Sequence, residues 1–168
     1  MTVSVPKDAD KGVINNQEEN WTFKFDKILH NASQEDVFDY CTKQAVHKVV
    51  GGFNGTILCY GQTGAGKTFT MCGSTSNYKY RGIIPRAINS IFSEVGGQFD
   101  NQIKVSVTYV EIYNELMFDM LSDTPTYEQG GSDVKLQDDA NGEVLIKGAT
   151  MITCKNEEEA LNCLFEGE

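Results

Sequence analysis

Along the 168 residues the spacing of apolar positions changes several times, and each change predicts an element. Trp21, Phe23 and Phe25 alternate with Thr22 and Lys24, the period of a strand with one buried face. Ser33-Gln34-Glu35-Asp36 has the form of a capping box, with Asp in place of the usual Glu or Gln. Val37, Phe38, Cys41, Ala45, Val46, Val49 and Val50 follow at helical spacing, predicting one helix that stops at Gly51-Gly52. Thr56 to Tyr60 is almost wholly apolar, as in a strand covered on both faces of a parallel sheet.

Downstream, Ile84-Pro85-Arg86 restarts a helix with proline in its first turn, and Ala87, Ile88, Ile91 and Phe92 form its apolar face. Ile103, Val105, Val107 and Tyr109 alternate with polar residues and predict a strand, which runs on through Glu111 to Glu115 into a short helical turn ending at Leu121. Val134–Leu136 and Val144–Ile146 flank Asn141-Gly142, a hairpin signal. Asn156 precedes Glu157-Glu158-Glu159 and predicts a capped final helix, its acidic turn placed at the positive end of the dipole. Residues 1–20 are polar and poorly patterned, so two regions are expected, 1–20 and 21–168.

Composition narrows the function classes. With 14 basic and 24 acidic side chains the chain carries a formal charge of −10, which disfavours a binder of nucleic acid phosphates. Hydrophobic residues make up 40% and charged residues 23%, the usage of a globular chain rather than a disordered tail. There is no apolar run long enough for a membrane span and no signal-peptide pattern at the N-terminus, so a soluble intracellular protein is expected. Five cysteines without a C-x-x-C pair suggest reduced thiols rather than a disulfide framework or zinc knuckle. His30 and His47 have no ligand-like neighbours.

One motif carries chemistry. Gly61-Gln62-Thr63-Gly64-Ala65-Gly66-Lys67-Thr68 satisfies every fixed position of G-x-x-x-x-G-K-S/T. Such a loop surrounds a polyphosphate with inward-pointing backbone N–H groups, which requires glycine where φ is positive. The helix that follows presents its first amides and its positive dipole end to the anion. Lys67 is placed to reach the β- and γ-phosphates, and the Thr68 hydroxyl to bind Mg²⁺. The loop holds no acidic residue, so local geometry would hold the phosphates against the negative field of the chain. The expected class is α/β, a P-loop NTPase-type mixed sheet flanked by helices, with ATP and Mg²⁺ as cofactors.

The motif lies within Gly52 to Met71, GFNGTILCYGQTGAGKTFTM, which resembles the P-loop region of the kinesin motor domain. Phe23-Lys24-Phe25-Asp26, Gly82-Ile83-Ile84-Pro85-Arg86 and Val107 to Glu115 resemble further motifs of that family in the same order. Asn15-Asn16-Gln17, Leu29 to Gln34, Asn77 to Gly82 and Leu164 to Glu168 are most similar to the kinesin-9 class. The resemblance implies hydrolysis of ATP coupled to movement along microtubules, work in the cytoplasm on the cytoskeleton, and for that class cilia or flagella. It also implies a dimer formed through a stalk outside these residues. Phe69 resembles the position whose ring lies near the adenine.

Departures from the pattern are equally specific. The family's N-x-x-S-S-R-S-H and D-L-A-G-S-E switches do not occur, and nothing before Trp21 matches its adenine-flanking R-x-R-P segment. The resemblance therefore implies the N-terminal half of a motor domain, incomplete and ending before switch I, with no catalytic residue identifiable. Lys147 on the hairpin is the candidate tubulin-facing cation, while Asp138, Asp139 and Glu143 oppose it at the tip. The competing readings are a nucleotide-binding fragment that does not hydrolyse, and another P-loop NTPase. The latter would need an apolar strand ending in Asp, and the clear strand after the loop ends in Glu111.

Overall fold

A computed structural model describes residues 1–4, 20–74, 77–96, 103–123, 134–138, 140, 142 and 144–167. The chain separates into two units, residues 1–32 and 33–168. In the first, strand β1 (Thr2–Ser4) pairs antiparallel with β2 (Asn20–Thr22), Val3 opposite Trp21. The strand expected over Trp21–Phe25 is thus shorter and displaced. Phe23 and Phe25 lie beyond it, exposed, with ring centroids 6.4 Å apart. Strand β1 was illegible in a segment lacking any period.

The second unit starts at the capping box. The Ser33 hydroxyl accepts from the Asp36 amide at 3.1 Å, and the Asp36 carboxylate accepts from the Ser33 amide at 3.0 Å. The expected single helix is two, α1 (Gln34–Cys41) and α2 (Lys43–Val50), jointed at Thr42 with φ −123° and ψ −39°. Thr42 itself keeps two i→i+4 bonds, its amide donating to Phe38 O at 2.9 Å and its carbonyl accepting from the Val46 amide at 3.0 Å, so the apolar stripe survives the bend. Helix α2 packs against α4 (Ile83–Gly96), whose Pro85 sits in the first turn as the sequence predicts. Between them lies α3 (Lys67–Met71), followed by a 3₁₀ turn at Tyr78–Tyr80.

The strands form four separate two-stranded antiparallel ladders among the described residues. Strand β3 (Val105–Val107) pairs with β8 (Ile152–Cys154), a strand the sequence reading missed. Strand β4 (Val110–Tyr113) returns directly as β5 (Leu116–Asp119), where a helical turn was expected. The connection is Asn114-Glu115, both residues at positive φ (49° and 63°), the two-residue turn whose twist suits a hairpin. Strands β6 (Lys135–Asp138) and β7 (Val144–Lys147) form the predicted hairpin; Asp139, Asn141 and Glu143 at its tip lie outside the described residues. So do Asn15 to Gln17, Glu168 and most of the loop over 122–133.

The last helix, α5 (Glu157–Glu166), is capped as predicted, the Asn156 side chain accepting from the Glu159 amide at 2.9 Å. Its buried Ala160 and Cys163 meet Cys154 of β8 in a small core flanked by Ile88, Phe92, Val107, Leu121 and Ile152. The Cys154 and Cys163 sulfurs are 4.0 Å apart, and all five cysteines are free thiols. Burial, and next the neighbouring thiol, push the Cys154 pKa up to about 11, keeping it protonated at neutral pH. Asn89 donates to Glu157 at 2.8 Å and Arg81 pairs with the same carboxylate at 3.6 Å, which ties α4 to the start of α5.

The expected central strand at Thr56–Tyr60 is extended but belongs to none of the ladders. The alternation survives on one face only. Ile57 and Cys59 are half-covered, whereas Leu58 is 87% and Tyr60 95% exposed. A strand is buried on both faces only when neighbours pair with its edges and layers cover both sides; here helices cover one side and no described strand pairs with it. Among the described residues no helix is long and apolar enough to cross a membrane.

Asp119 pins the β4–β5 hairpin to the chain after β7. Its carboxylate accepts from the amides of Thr150 at 2.7 Å and Leu121 at 3.0 Å. Burial alone would raise its pKa, but the hydrogen bond from the Thr150 side chain, with those from the two amides, outweighs burial and leaves it below the ordinary carboxylate value. A depressed folded-state pKa stabilises the fold above the unfolded value, near 3.9, and that contribution is lost as pH falls through the folded pKa. Asp119→Asn is expected to lower stability at pH 7 by about 1–2 kcal/mol. The gap to the unsubstituted chain should close in acid, as read from urea midpoints across pH. Glu115→Gly, which relieves a side chain from the left-handed region, should raise stability by about 1 kcal/mol in the same assay.

Candidate nucleotide-binding site

The loop Gly61–Thr68 joins the extended segment to α3, and backbone geometry explains its residue types. Gly64 and Gly66 have φ of 80° and 90°, a region that side chains with a Cβ enter at a cost. Gly66 is the residue before α3, and no side chain caps the helix there. The amides at the start of α3 are therefore left to whatever occupies the loop. Within the loop, the Ala65 amide donates to Gln62 O at 3.1 Å and closes a turn.

Lys67 folds over this turn, its Nζ donating to Gln62 O at 2.9 Å. The ammonium thus stays on the loop, and its acceptor among the described residues is a neutral carbonyl, which a stronger acceptor can replace. Gln62, Thr63, Gly64, Ala65, Gly66 and Thr68 are exposed, and Gly61 and Lys67 partly so. Phe69 is 51% exposed, one residue beyond the motif on the same helix. All nine sequence-predicted residues, Gly61 to Phe69, lie on one continuous turn and helix start.

The donor set suits a polyphosphate with its Mg²⁺. It offers backbone amides at the start of a helix, one ammonium, one hydroxyl on Thr68 and no carboxylate between residues 61 and 68. Among the described residues no group of three or more His, Cys, Asp or Glu side chains gathers to hold a metal by itself. The loop's Thr68 would hold Mg²⁺ only together with phosphate oxygens.

Other candidate residues lie away from this turn. Glu111 lies on β4, and Lys147 is exposed on β7 opposite Lys135 of β6. Sequence reasoning missed Gln34, which it read only as part of the capping box. Gln34 is 7% exposed, and its Nε2 donates to Phe69 O at 2.6 Å. Thirty-five positions separate the partners, and no local pattern signals such a contact.

Comparison with known proteins gives concordant results. A family model described as the kinesin motor domain matches residues 2–168. The kinesin-like protein KIF9 of Mus musculus is 46% identical over 168 residues, covering 100% of this chain and 21% of that protein. The kinesin-like protein KLP1 of Chlamydomonas reinhardtii is 46% identical over 169 residues, again 100% of this chain and 21% of the relative. A solved structure described as that of a fast kinesin superposes with a TM-score of 0.79 at 32% identity, over 92% of this chain and 43% of the other. The chain thus spans about a fifth of the length of these curated relatives.

Proposed function

Because the chain belongs to the kinesin motor domain family, and is most similar to its kinesin-9 class, we propose that residues 61–68 grip the phosphates of Mg-ATP for a microtubule motor. The observation that carries the reading is the turn itself. Two left-handed glycines and an uncapped helix start lie under a lysine whose ammonium is held by a single neutral carbonyl. Arrival of a triphosphate gives that ammonium a charged acceptor in place of Gln62 O, an exchange that strengthens its hydrogen bond. The amides of Gly64 and of Gly66 to Thr68 supply uncharged donors that need no counter-ion, while that of Ala65 closes the turn. The Thr68 hydroxyl is the metal ligand and the Phe69 ring a face for the adenine. Mg²⁺ held there by Thr68 would supply charge neutralisation for the transferred phosphoryl group.

Hydrolysis is assigned to the complete domain. Water placement and γ-phosphate sensing reside in the family's switches, and neither switch sequence occurs in these 168 residues. No residue here is therefore given a catalytic role. For the microtubule, the β6–β7 hairpin offers Lys135 and Lys147 side by side and exposed, a cationic pair suited to an acidic surface. Work on the cytoskeleton, in cilia or flagella for the kinesin-9 class, and dimerisation through a stalk belong to the whole protein.

Lys67→Ala is expected to weaken Mg-ATP binding by about 100-fold or more, because a charge-assisted contact to the phosphates is lost. Titration with a fluorescent ATP analogue checks this, and unchanged affinity would remove the assignment. The 168-residue chain should show no microtubule-stimulated phosphate release. A clear stimulated rate would place the hydrolytic groups within these residues.

A further inference from the structure

Helix α3 has five residues, Lys67–Met71, little more than one turn. Its carbonyls are satisfied unevenly. Gly66 O accepts from the Thr70 amide at 2.9 Å and from the Thr70 hydroxyl at 3.0 Å. Thr68 O accepts from the amides of Cys72 at 2.8 Å and Gly73 at 3.2 Å. In an uninterrupted helix the Gly73 amide would serve Phe69 O instead. The donor that reaches Phe69 O is the Gln34 side-chain amide, at 2.6 Å, from the first turn of α1.

We infer that Gln34 is a positioning residue for the phosphate loop, holding α3 by its Phe69 carbonyl so that the amides at the other end keep their aim. The inference rests on the proposed reading of residues 61–68 as a phosphate site. Three features separate Gln34 from an ordinary packing residue. It is buried, though polar and in the first turn of a helix, where such side chains are usually exposed. Its bond crosses from one element to another rather than closing a local turn. Its base is also stiff, since the Ser33–Asp36 capping box fixes the backbone on either side.

The geometry opposes two pulls on one short rod. A bound phosphate attracts the N-terminal amides of α3, while Gln34 restrains its C-terminal half. A neutral amide suits the task. It adds no charge that would attract or repel the nucleotide, and its donor polarises the peptide in the same sense as the helix. An orphaned carbonyl in its place would seek water or another donor and turn the helix.

The test compares three forms of the chain. Gln34→Met keeps the length and removes the donor, and should weaken Mg-ATP binding about ten-fold, the weight of one unmade buried hydrogen bond. Hydrogen exchange at the amides of Phe69 to Cys72 should quicken in parallel. Asn156→Ala removes the cap of α5, which does not touch Gln34, and lowers stability comparably, yet should leave both readouts unchanged. Affinity in Gln34→Met equal to that of the unsubstituted chain, or an equal loss in Asn156→Ala, overturns the inference. If Gln34→Met does not fold, nuclear magnetic resonance of the unsubstituted chain decides. The Gln34 side-chain amide protons should exchange slowly and shift on addition of Mg-ATP, and unshifted resonances overturn it. Failure of the unsubstituted chain to bind Mg-ATP is a separate result, which overturns the phosphate reading and this inference with it.

Discussion

Helix α3 is too short to persist on its own hydrogen bonds, since a helix of a single turn does not repay the cost of its nucleation. The glycine-rich turn before it inherits whatever orientation its surroundings impose on that helix. Those surroundings are the Gln34 amide on one side and α4 on the other. The extended segment before the loop contributes the Cys59 thiol, 3.9 Å from Lys67 O, a weak contact. The proposed site is thus a glycine-rich loop mounted on a rod held from outside. Such a mounting lets the loop adapt to an anion without losing its place on the fold.

The apolar segment before the loop has a different status. Leu58 and Tyr60 face solvent although their residue types suit a core, and apolar side chains from α2 and α4 look across a cavity at Ile57. Thr42 sits in the wall of that cavity, 2% exposed, its hydroxyl unpartnered among the described residues. Exposed large apolar side chains of this kind form a surface prone to association. The two halves of the unit therefore differ in quality. The helical side and the α5–β8 core are packed, and the face of the expected central strand opposite the helices is bare.

Charge is distributed to match the proposed chemistry. The chain is acidic by ten charges, yet the stretch from Gly61 to Thr68 has one cation and no anion. A polyphosphate approaching elsewhere meets repulsion, and at the loop it meets dipoles and one ammonium. The acidic residues near helix starts, Glu35 and Asp36 in α1 and Glu157 to Glu159 in α5, serve the dipoles and caps of those helices.

What the sequence determined by itself is local. The glycine pattern, Lys67 and Thr68 specify the loop because each acts through its own backbone conformation or side-chain chemistry. Both N-caps, the start of α4 and the Asn-Gly hairpin were legible for the same reason. The Asn114-Glu115 turn was not, because Glu occupies a position where glycine usually advertises the geometry. Nor was the joint at Thr42, since the apolar period runs across the bend without a break in the sequence. Only the tertiary structure decided which strands found partners, leaving Thr56–Tyr60 unpaired and joining β3 to a strand more than forty residues away. It alone brought Gln34 to Phe69, because pairing and side-chain contact across elements depend on distances that no local spacing encodes.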